Sequence, residues 1–334
     1  AVRQQFGVPT QRNTREFVPN TDVRTYGGGA GLSFVGQRVD LGISVGSLEN
    51  NYGIPPGAHS QENIVLLDPT LIEGQNVRID MQQTRVDLKG EVRVEHRALH
   101  AVRLRAGDVR YRHDEVDNER PVTIFRNDAK EARLEFDQRL WKPHEGTLGL
   151  HTIDREVSAL GQEAFMPRAL SRTRAWFTTQ KWDGPWWALE GAYRAEEQSI
   201  DPDPIVRGIN TFVFPHTEYR PRTWSVAASL KFAPRSRLTA TLSQPERAPD
   251  VQELYSLGPH LATRTYNIGN RNLGVESMRR ADLGFTHEWA EGVFRFNVFR
   301  YEADDYIYLR SRGTFYDLDR RRIIASCVRP ERCL

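Results

Sequence analysis

Apolar and polar residues alternate with a period of two along much of the chain, which is the pattern of β-strands with two different faces. Residues 85–94 give the clearest case. The apolar positions of this segment are Val86, Leu88, Val92 and Val94, and the charged positions are Arg85, Asp87, Lys89, Glu91 and Arg93. A barrel with lipid outside and water inside satisfies both faces, so we expect the apolar set to face outward and the charged set inward.

Short turns and long connections alternate along the chain. The short turns fall at 36–37, 95–99, 142–146, 182–185, 233–236 and 290–292, and the long connections at 49–76, 113–122, 157–169, 198–221 and 243–280. Outer-membrane barrels join their strands by short periplasmic turns and longer extracellular loops. This alternation of short turns and long connections therefore predicts an all-β fold, an antiparallel transmembrane β-barrel with about twelve visible strands and no convincing helix. Val293–Phe299 is the last clear strand.

Tryptophans cluster beside the short turns, at Trp141, Trp182, Trp186, Trp187 and Trp289. Interfacial belts of membrane proteins place tryptophan and tyrosine at this position. Ordinary packing of tryptophan in a protein core is the alternative for each of them.

Composition excludes several classes of function. The 334 residues carry 46 basic and 44 acidic side chains, so no basic excess points to nucleic acid as a partner. A mean hydropathy of −0.60 leaves no apolar run of the ~20 residues that a transmembrane helix needs. The sequence has no nucleophile elbow, glycine-rich phosphate loop or His-Glu-x-x-His motif, so we do not expect an enzyme.

The segment Ser243–Phe285 carries the most specific motifs. It is rich in proline, glycine and asparagine; a predicted strand at 238–242 runs into it and another, at 281–289, runs out of it. Its motifs are Arg247-Ala248-Pro249, Glu253-Leu254-Tyr255, Asn270-Arg271-Asn272-Leu273 and Glu276-Ser277. These motifs resemble the large-loop signature of TonB-dependent outer-membrane receptors, and strand-like segments elsewhere in the chain are similar to the barrel strands of that family.

The resemblance implies a fold and a location. Receptors of this family have an energy-coupling motif, a plug domain and a 22-stranded barrel in the Gram-negative outer membrane. Nothing in residues 1–334 resembles the plug or the final aromatic-ended strand. We therefore expect the whole chain to be a partial barrel domain with several membrane crossings, which contacts lipid directly and the TonB energy-coupling complex through a plug outside this chain.

A narrower resemblance, to the zinc-uptake subgroup, rests on three segments: Asn51-Tyr52-Gly53-Ile54-Pro55, Arg78-Ile79-Asp80 and Gly258-Pro259-His260-Leu261-Ala262-Thr263. It implies that zinc, or another metal ion or chelate, is the cargo, with no resident cofactor. His260 matches a histidine typical of the subgroup, and imidazole is a good zinc ligand. The loop at 57–75 offers His59 as a second ligand but few further histidines or acids, unlike the His-rich loop of the subgroup.

The remaining motif residues have two interpretations. Arg247 and Glu253 either contact a substrate or form a salt bridge that pins the loop where it enters and leaves the barrel. We expect the second role, because ordering a loop of this length costs conformational entropy. Asn270 and Asn272 are expected to form turns. Pro249 and Tyr255 complete the structural motif.

Cys327 and Cys333 are the two cysteines of the chain, with Pro330 between them. In an oxidising compartment they are expected to close a small disulfide loop on the extracellular side, because proline favours a turn there. Two free thiols are the alternative.

Three other functions stay open at this point. A siderophore or haem receptor of the same family would have the same barrel. A complete twelve-stranded outer-membrane barrel could be an enzyme such as a phospholipase, which needs a Ser–His pair at its outer rim. A soluble β-protein that binds a partner through its loops is the third alternative.

Overall fold

A computed structural model of the protein describes residues 20–54, 77–96, 98–117, 119–161, 164–207, 209–260, 265–317, 320 and 322–327. The long strands of this part are β1 (Val23–Val35), β2 (Val39–Gly53), β3 (Arg78–Arg93), β4 (Leu99–Asp117), β5 (Arg120–Gln138), β6 (His144–Gly161), β7 (Ala169–Asp183), β8 (Trp187–Pro202), β12 (Arg222–Ala233), β13 (Ser236–Gln244), β17 (Glu276–Trp289) and β18 (Gly292–Asp304). The short elements are β9 (Ile205–Arg207), β10 (Asn210–Phe212), β11 (Thr217–Tyr219), β14 (Glu246–Arg247), α1 (Val251–Tyr255), β15 (Leu257–His260), β16 (Thr265–Ile268), β19 (Phe315–Asp317) and β20 (Arg322–Ile324).

The long strands form one antiparallel meander, as the alternation of short and long connections predicts. Each pairs with the next long strand of the chain, and the short strands β11 and β14 extend the sheet to 14 strands by pairing with β8 and β17. Within the described residues, β1 and β18 each pair on one side alone, so the sheet is open. The other short strands form three separate hairpins: β9 with β10, β15 with β16, and β19 with β20.

The sheet has two chemically distinct faces, here called the apolar face and the charged face. On the apolar face, Leu88 lies opposite Ile43 of β2 and Ala106 of β4, and its side chain is exposed. On the charged face, the Glu91 carboxylate contacts Arg93 at 3.1 Å and Arg103 of β4 at 3.4 Å. Because successive side chains of a strand point to opposite faces, this two-sided pattern extends from strand to strand.

The expectation of a long connection at residues 113–122 is wrong. β4 continues to Asp117 and β5 begins at Arg120, so His113 lies on a strand and a tight turn with Glu119 at φ 66° joins the two. The charged run from Arg112 to Glu115 looks loop-like by composition, but it keeps the period of two. Neighbouring strands pair with every residue of the run, and this pairing outweighs its polar composition.

Aromatic side chains bound the apolar face. Trp141, Trp186 and Trp289 are exposed beside the short turns. Toward the opposite strand ends, the rings of Trp176 and Tyr193 lie 5.1 Å apart, and Trp224 is paired with Tyr193 across β12 and β8. The residues between these two levels form an apolar band.

A buried apolar cluster lies at the long-loop ends of β6, β7 and β8. By alternation, Val157 and Ala159 share the charged face with His151 and Arg155. The cluster consists of Val157, Ala159, Phe165, Met166, Ala169, Ile200, Phe214, Val251, Leu254 and Tyr255. The long loops therefore fold over the charged face.

In the part of the chain that the structure describes, no helix is long and apolar enough to cross a membrane.

Candidate functional site

The long loop between β13 and β17 contains the five-residue helix α1, which follows β14. Asp250 is its N-cap, and the Asp250 carboxylate accepts a hydrogen bond from the Val251 amide at 2.6 Å. The Glu253 carboxylate accepts one from the Asp250 amide at 2.7 Å, which completes a capping box. The expectation that helices are absent missed this element, although Asp250-x-x-Glu253 is the sequence signal of such a box.

Arg247 ties three parts of the loop together. Its guanidinium donates to both Glu253 carboxylate oxygens, at 2.8 and 3.1 Å, and to Glu276 at the start of β17, at 2.9 Å. Glu276 lies opposite Arg247 in the β14–β17 ladder. One side chain thus links the entry of the loop, its helix and its return strand.

The underside of α1 is anchored on the charged face. Tyr255 is buried, and its hydroxyl donates to the Pro215 carbonyl at 3.0 Å and lies 2.8 Å from the Thr217 hydroxyl. The Tyr255 ring meets that of Phe214 edge-on at 5.5 Å, and the Arg271 guanidinium lies 4.8 Å from the centre of the Phe214 ring. The helix therefore closes over the loop that precedes β11.

The other motif residues shape the chain around this helix. Pro249 is fully buried just before the N-cap. The Asn270 amide donates to the Glu253 carbonyl at 2.8 Å, and the Asn270 side chain accepts from the Asn272 amide at 3.0 Å. The second contact is an Asx-type turn, which asparagine forms readily.

The wall beneath the loop combines aromatic and polar groups on the charged face of β4, β5 and β6. His113 stacks on Phe125 with ring centroids 4.5 Å apart, and Tyr111 meets His113 edge-on at 5.5 Å. Arg155 donates to Asn127 at 2.9 Å and lies 3.5 Å from the Asp250 carboxylate. Sequence reasoning missed this group because it placed His113 in a loop. The alternation of Tyr111 and His113 with charged residues was the available signal.

Of the two predicted metal ligands, the structure describes only the backbone of His260. His59 lies outside the described residues. The backbone of His260 ends β15 opposite Thr265, but its side chain is not among the described groups. In the part of the chain that the structure describes, no three His, Cys, Asp or Glu side chains form a cluster suited to a metal ion. Zinc binding by His260 and His59 stays a prediction.

His216 lies in the connection before β11, between two carboxylates. Its Nδ1 is 2.6 Å from Asp201 Oδ1, and its Nε2 is 3.3 Å from Glu218 Oε1. Hydrogen bonds to Asp201 and Glu218 raise the pKa of the His216 imidazole above its ordinary value. Both ring nitrogens contact a carboxylate, so the His216 imidazole bridges Asp201 and Glu218.

This bridge predicts a pH dependence. With the folded pKa above the unfolded value of about 6.5, the imidazolium contacts stabilise the loop fully below that pH and are lost as pH rises through the folded pKa. We expect an NMR titration of histidine-labelled protein to give His216 a pKa above that of a solvated histidine. Replacing Asp201 and Glu218 by asparagine and glutamine should return it to the ordinary value, and an unshifted His216 in the parent would refute the bridge.

The predicted disulfide is untested, because Cys333 lies outside the described residues while Cys327 lies within them. We expect thiol titration of the unreduced, denatured protein to find no reactive thiol, and two after reduction. Two reactive thiols before reduction would exclude the disulfide. The Cys327→Ser variant provides the reference for a single free thiol.

Comparison with known proteins identifies the family. The family model described as "TonB dependent receptor-like, beta-barrel" matches residues 9–323. Among solved structures, the chain is similar to the copper transporter OprC, with a TM-score of 0.67 and 13% identity over 88% of this chain and 46% of that one. It is also similar to the haemophore receptor HasR of Serratia marcescens (TM-score 0.61, 14% identity, 85% and 46%) and to the ferric yersiniabactin uptake receptor FyuA of Yersinia pestis (0.61, 11%, 85% and 46%).

These likenesses are below 25% identity and concern the fold, and the chain spans about half the length of the structures it matches. The family is one of receptors and transporters rather than enzymes, so the barrel phospholipase is not favoured. Three observations point to the same family: the resemblance in the loop motifs, the antiparallel two-faced sheet and the family match over residues 9–323. The chain belongs to the TonB-dependent receptor-like β-barrel family.

Proposed function

We propose that this chain forms part of the barrel wall of an outer-membrane receptor that takes up a scarce nutrient in a Gram-negative bacterium. One observation carries the proposal: a sheet with one apolar and one charged face, whose charged face is covered at one end by a long, anchored loop. Such a wall contacts lipid on its apolar face and encloses a water-filled lumen on the other. The family match over residues 9–323 supports it.

The loop between β13 and β17 is the candidate extracellular gate. Arg247 links the start of the loop to Glu253 of its helix and to Glu276 where the loop ends, and Tyr255 anchors the helix on the Pro215 carbonyl. The mouth it covers is lined by His113 and Phe125, whose rings stack, and by Tyr111, which meets His113 edge-on. A plug domain outside residues 1–334 would complete the ligand site and couple release to the TonB energy-coupling complex.

Within this function, we propose a metal ion or a metal chelate as cargo, with zinc first. His260 ends β15 in the same long loop, and the His59 segment follows the Asn-Tyr-Gly run at the end of β2. Zinc takes four ligands, so neither histidine suffices alone and the plug would supply others. A siderophore or haem is the second candidate, because the aromatic wall of Tyr111, His113 and Phe125 suits a planar or aromatic chelate.

His260→Ala in the complete receptor tests the zinc proposal. We expect weaker zinc-dependent growth under chelation, with barrel assembly unchanged, because the substitution removes one imidazole from the capture loop. His100→Ala is the matched control, since His100 is exposed on β4 beside a short turn at the far end of the sheet. If His260→Ala grows like the parent while uptake follows haem or a siderophore, zinc is wrong and the receptor proposal stands.

A further inference from the structure

Basic side chains form a row across the charged face, close to the short turns at one end of the sheet. Cross-strand partners on four neighbouring strands make up this basic row: Lys231 of β12, Arg237 of β13, Thr286 of β17 and Arg295 of β18. Leu230 and Leu238, which precede and follow the first two cations in sequence, are paired on the apolar face. By alternation, the cations therefore lie on the charged face, and all three are exposed.

The three cations of the basic row have no acidic partner among the described residues. No described carboxylate oxygen lies within 4.0 Å of Lys231, Arg237 or Arg295. The next row toward the long loops is uncharged and consists of Ser229, Thr239, Gly284 and Asn297. Toward the short turns, the nearest inward acid of β17 is Glu288, whose partner on β18 is Val293. Like charges directly opposite each other, such as Lys231 and Arg237, destabilise a sheet unless an anion lies between them.

Cations at another level of the charged face are compensated. Arg105 of β4 lies opposite Lys89 of β3 and Arg133 of β5, which is again a row of basic residues. The two rows that flank it contain acids, namely Asp87 and Glu131 on one side and Glu91 and Glu135 on the other. Arg133 donates to Glu135 at 2.8 Å. The basic row at Lys231 differs because its neighbouring row supplies no such acids.

A shallow cavity of about 480 Å³ adjoins the basic row. Lys231 and Arg237 line one side of it. Small side chains line its middle, namely Ala188, Ala227, Ser229 and Thr239. Its acids, Asp183 and Glu190, lie toward β7 beside Lys181, whose Nζ contacts Asp183 at 2.6 Å. The cavity has the volume of a small-molecule site, and its positive side is the basic row.

The basic row suits a small ligand with more than one carboxylate. Neighbouring strands lie about 4.8 Å apart, so the backbones of β12 and β18 are about 14 Å apart, and long basic side chains extend from both. Arginine guanidiniums bind carboxylates in bidentate geometry, and lysine adds a point charge. A bare metal cation would be repelled by this row, whereas a chelate with a net negative charge would be attracted.

We propose that Lys231, Arg237 and Arg295 bind the carboxylates of an anionic metal chelate near the periplasmic exit of the lumen. The site lies at the opposite end of the sheet from the aromatic wall of the mouth, so it would receive cargo after capture. This inference rests on the proposed function, which places the charged face in a lumen. It narrows the cargo from a metal ion or chelate to an anionic chelate.

Binding of zinc citrate to the purified complete receptor tests the site. The probes are anionic zinc citrate, citrate alone and zinc ion alone, each measured by equilibrium dialysis at low ionic strength. We expect Arg237→Gln and Arg295→Gln each to weaken zinc citrate binding about fivefold, because each variant loses a charge-assisted contact. Arg237→Lys should weaken it less, since it keeps the charge without the bidentate fork. Zinc ion alone should bind these variants no worse than the parent.

Arg105→Gln is the matched control, because Arg105 is also an exposed cation of the charged face but has acids in both flanking rows. It should bind zinc citrate like the parent. Equal binding by the parent and Arg237→Gln would overturn the site, as would an equal loss in Arg105→Gln.

A carboxylate of the plug is the other source of the same chemistry, and the experiment distinguishes it. If the plug occupies the basic row, the parent should bind neither zinc citrate nor citrate, and Arg237→Gln should make the plug easier to cleave by protease. That result would overturn the assignment to a chelate. If the parent binds zinc citrate in this charge-dependent way but cells accumulate no metal, the proposed uptake function fails while the anion site stands.

Discussion

Leu88→Arg is expected to destabilise the membrane-inserted barrel by about 2–4 kcal/mol, whereas Lys89→Leu should change its stability by less than about 1 kcal/mol. The two residues are neighbours on β3, yet their side chains lie on opposite faces. Leu88 lies opposite Ile43 and Ala106 within the apolar band. An arginine at this position would place a charge in hydrocarbon, and neither paired residue, Ile43 nor Ala106, has a carboxylate to neutralise it.

Lys89 faces the lumen in this account, where water solvates either side chain. The measurement is equilibrium unfolding of the complete receptor in lipid bilayers, together with the fraction of heat-modifiable, assembled barrel recovered from membranes. A Leu88→Arg protein as stable as the parent would show that the apolar face does not meet lipid. Destabilisation by Lys89→Leu that matches that of Leu88→Arg would contradict the assignment of the two faces.

Glu253→Ala is expected to loosen the long loop, with hydrogen exchange at 250–256 and 270–277 faster by about tenfold or more. The Glu253 carboxylate accepts two hydrogen bonds from Arg247 and one from the Asp250 amide. Its removal ends the capping box and leaves Arg247 with Glu276 alone. Both side chains are partly solvent-exposed, so the ion pair itself adds less than the cap does.

Glu253→Gln is the informative partner variant. Glutamine also completes a capping box, so it keeps the helix start while it removes the negative charge that faces Arg247. We expect it to exchange at a rate between those of the parent and Glu253→Ala. Exchange measured by mass spectrometry should leave peptides of β3 and β4 unchanged in all three proteins. Equal rates in Glu253→Ala and the parent would contradict the role of this anchor.

The strands could be predicted from sequence because their signal is repeated and local. The period of two in residues 85–94 and the alternation of short and long connections set the order and the faces of the meander. The same logic failed at residues 113–122, which were assigned to a long connection although β4 continues to Asp117 and β5 begins at Arg120. Strand pairing extends well beyond an apolar band, and polar outward residues there leave no hydrophobic signal.

The candidate site was predictable to a lesser degree. The types of the motif residues suggested turns and ion pairs, and in the structure Arg247 contacts Glu253 and Asn270 accepts from Asn272. Contacts such as that of Arg247 with Glu276, or of Tyr255 with Pro215, join segments far apart in sequence, and no local pattern specifies them. The wall of Tyr111, His113 and Phe125 likewise depends on register between β4 and β5.

Cargo uptake tests the central claim most directly. Cells that lack the receptor are complemented with its complete reading frame, starved of metals, and supplied with labelled zinc, a ferric siderophore or haem, with and without a functional TonB complex. We expect TonB-dependent accumulation of one metal cargo, zinc first, at low external concentration. Equal accumulation of every cargo with and without the receptor would contradict the account.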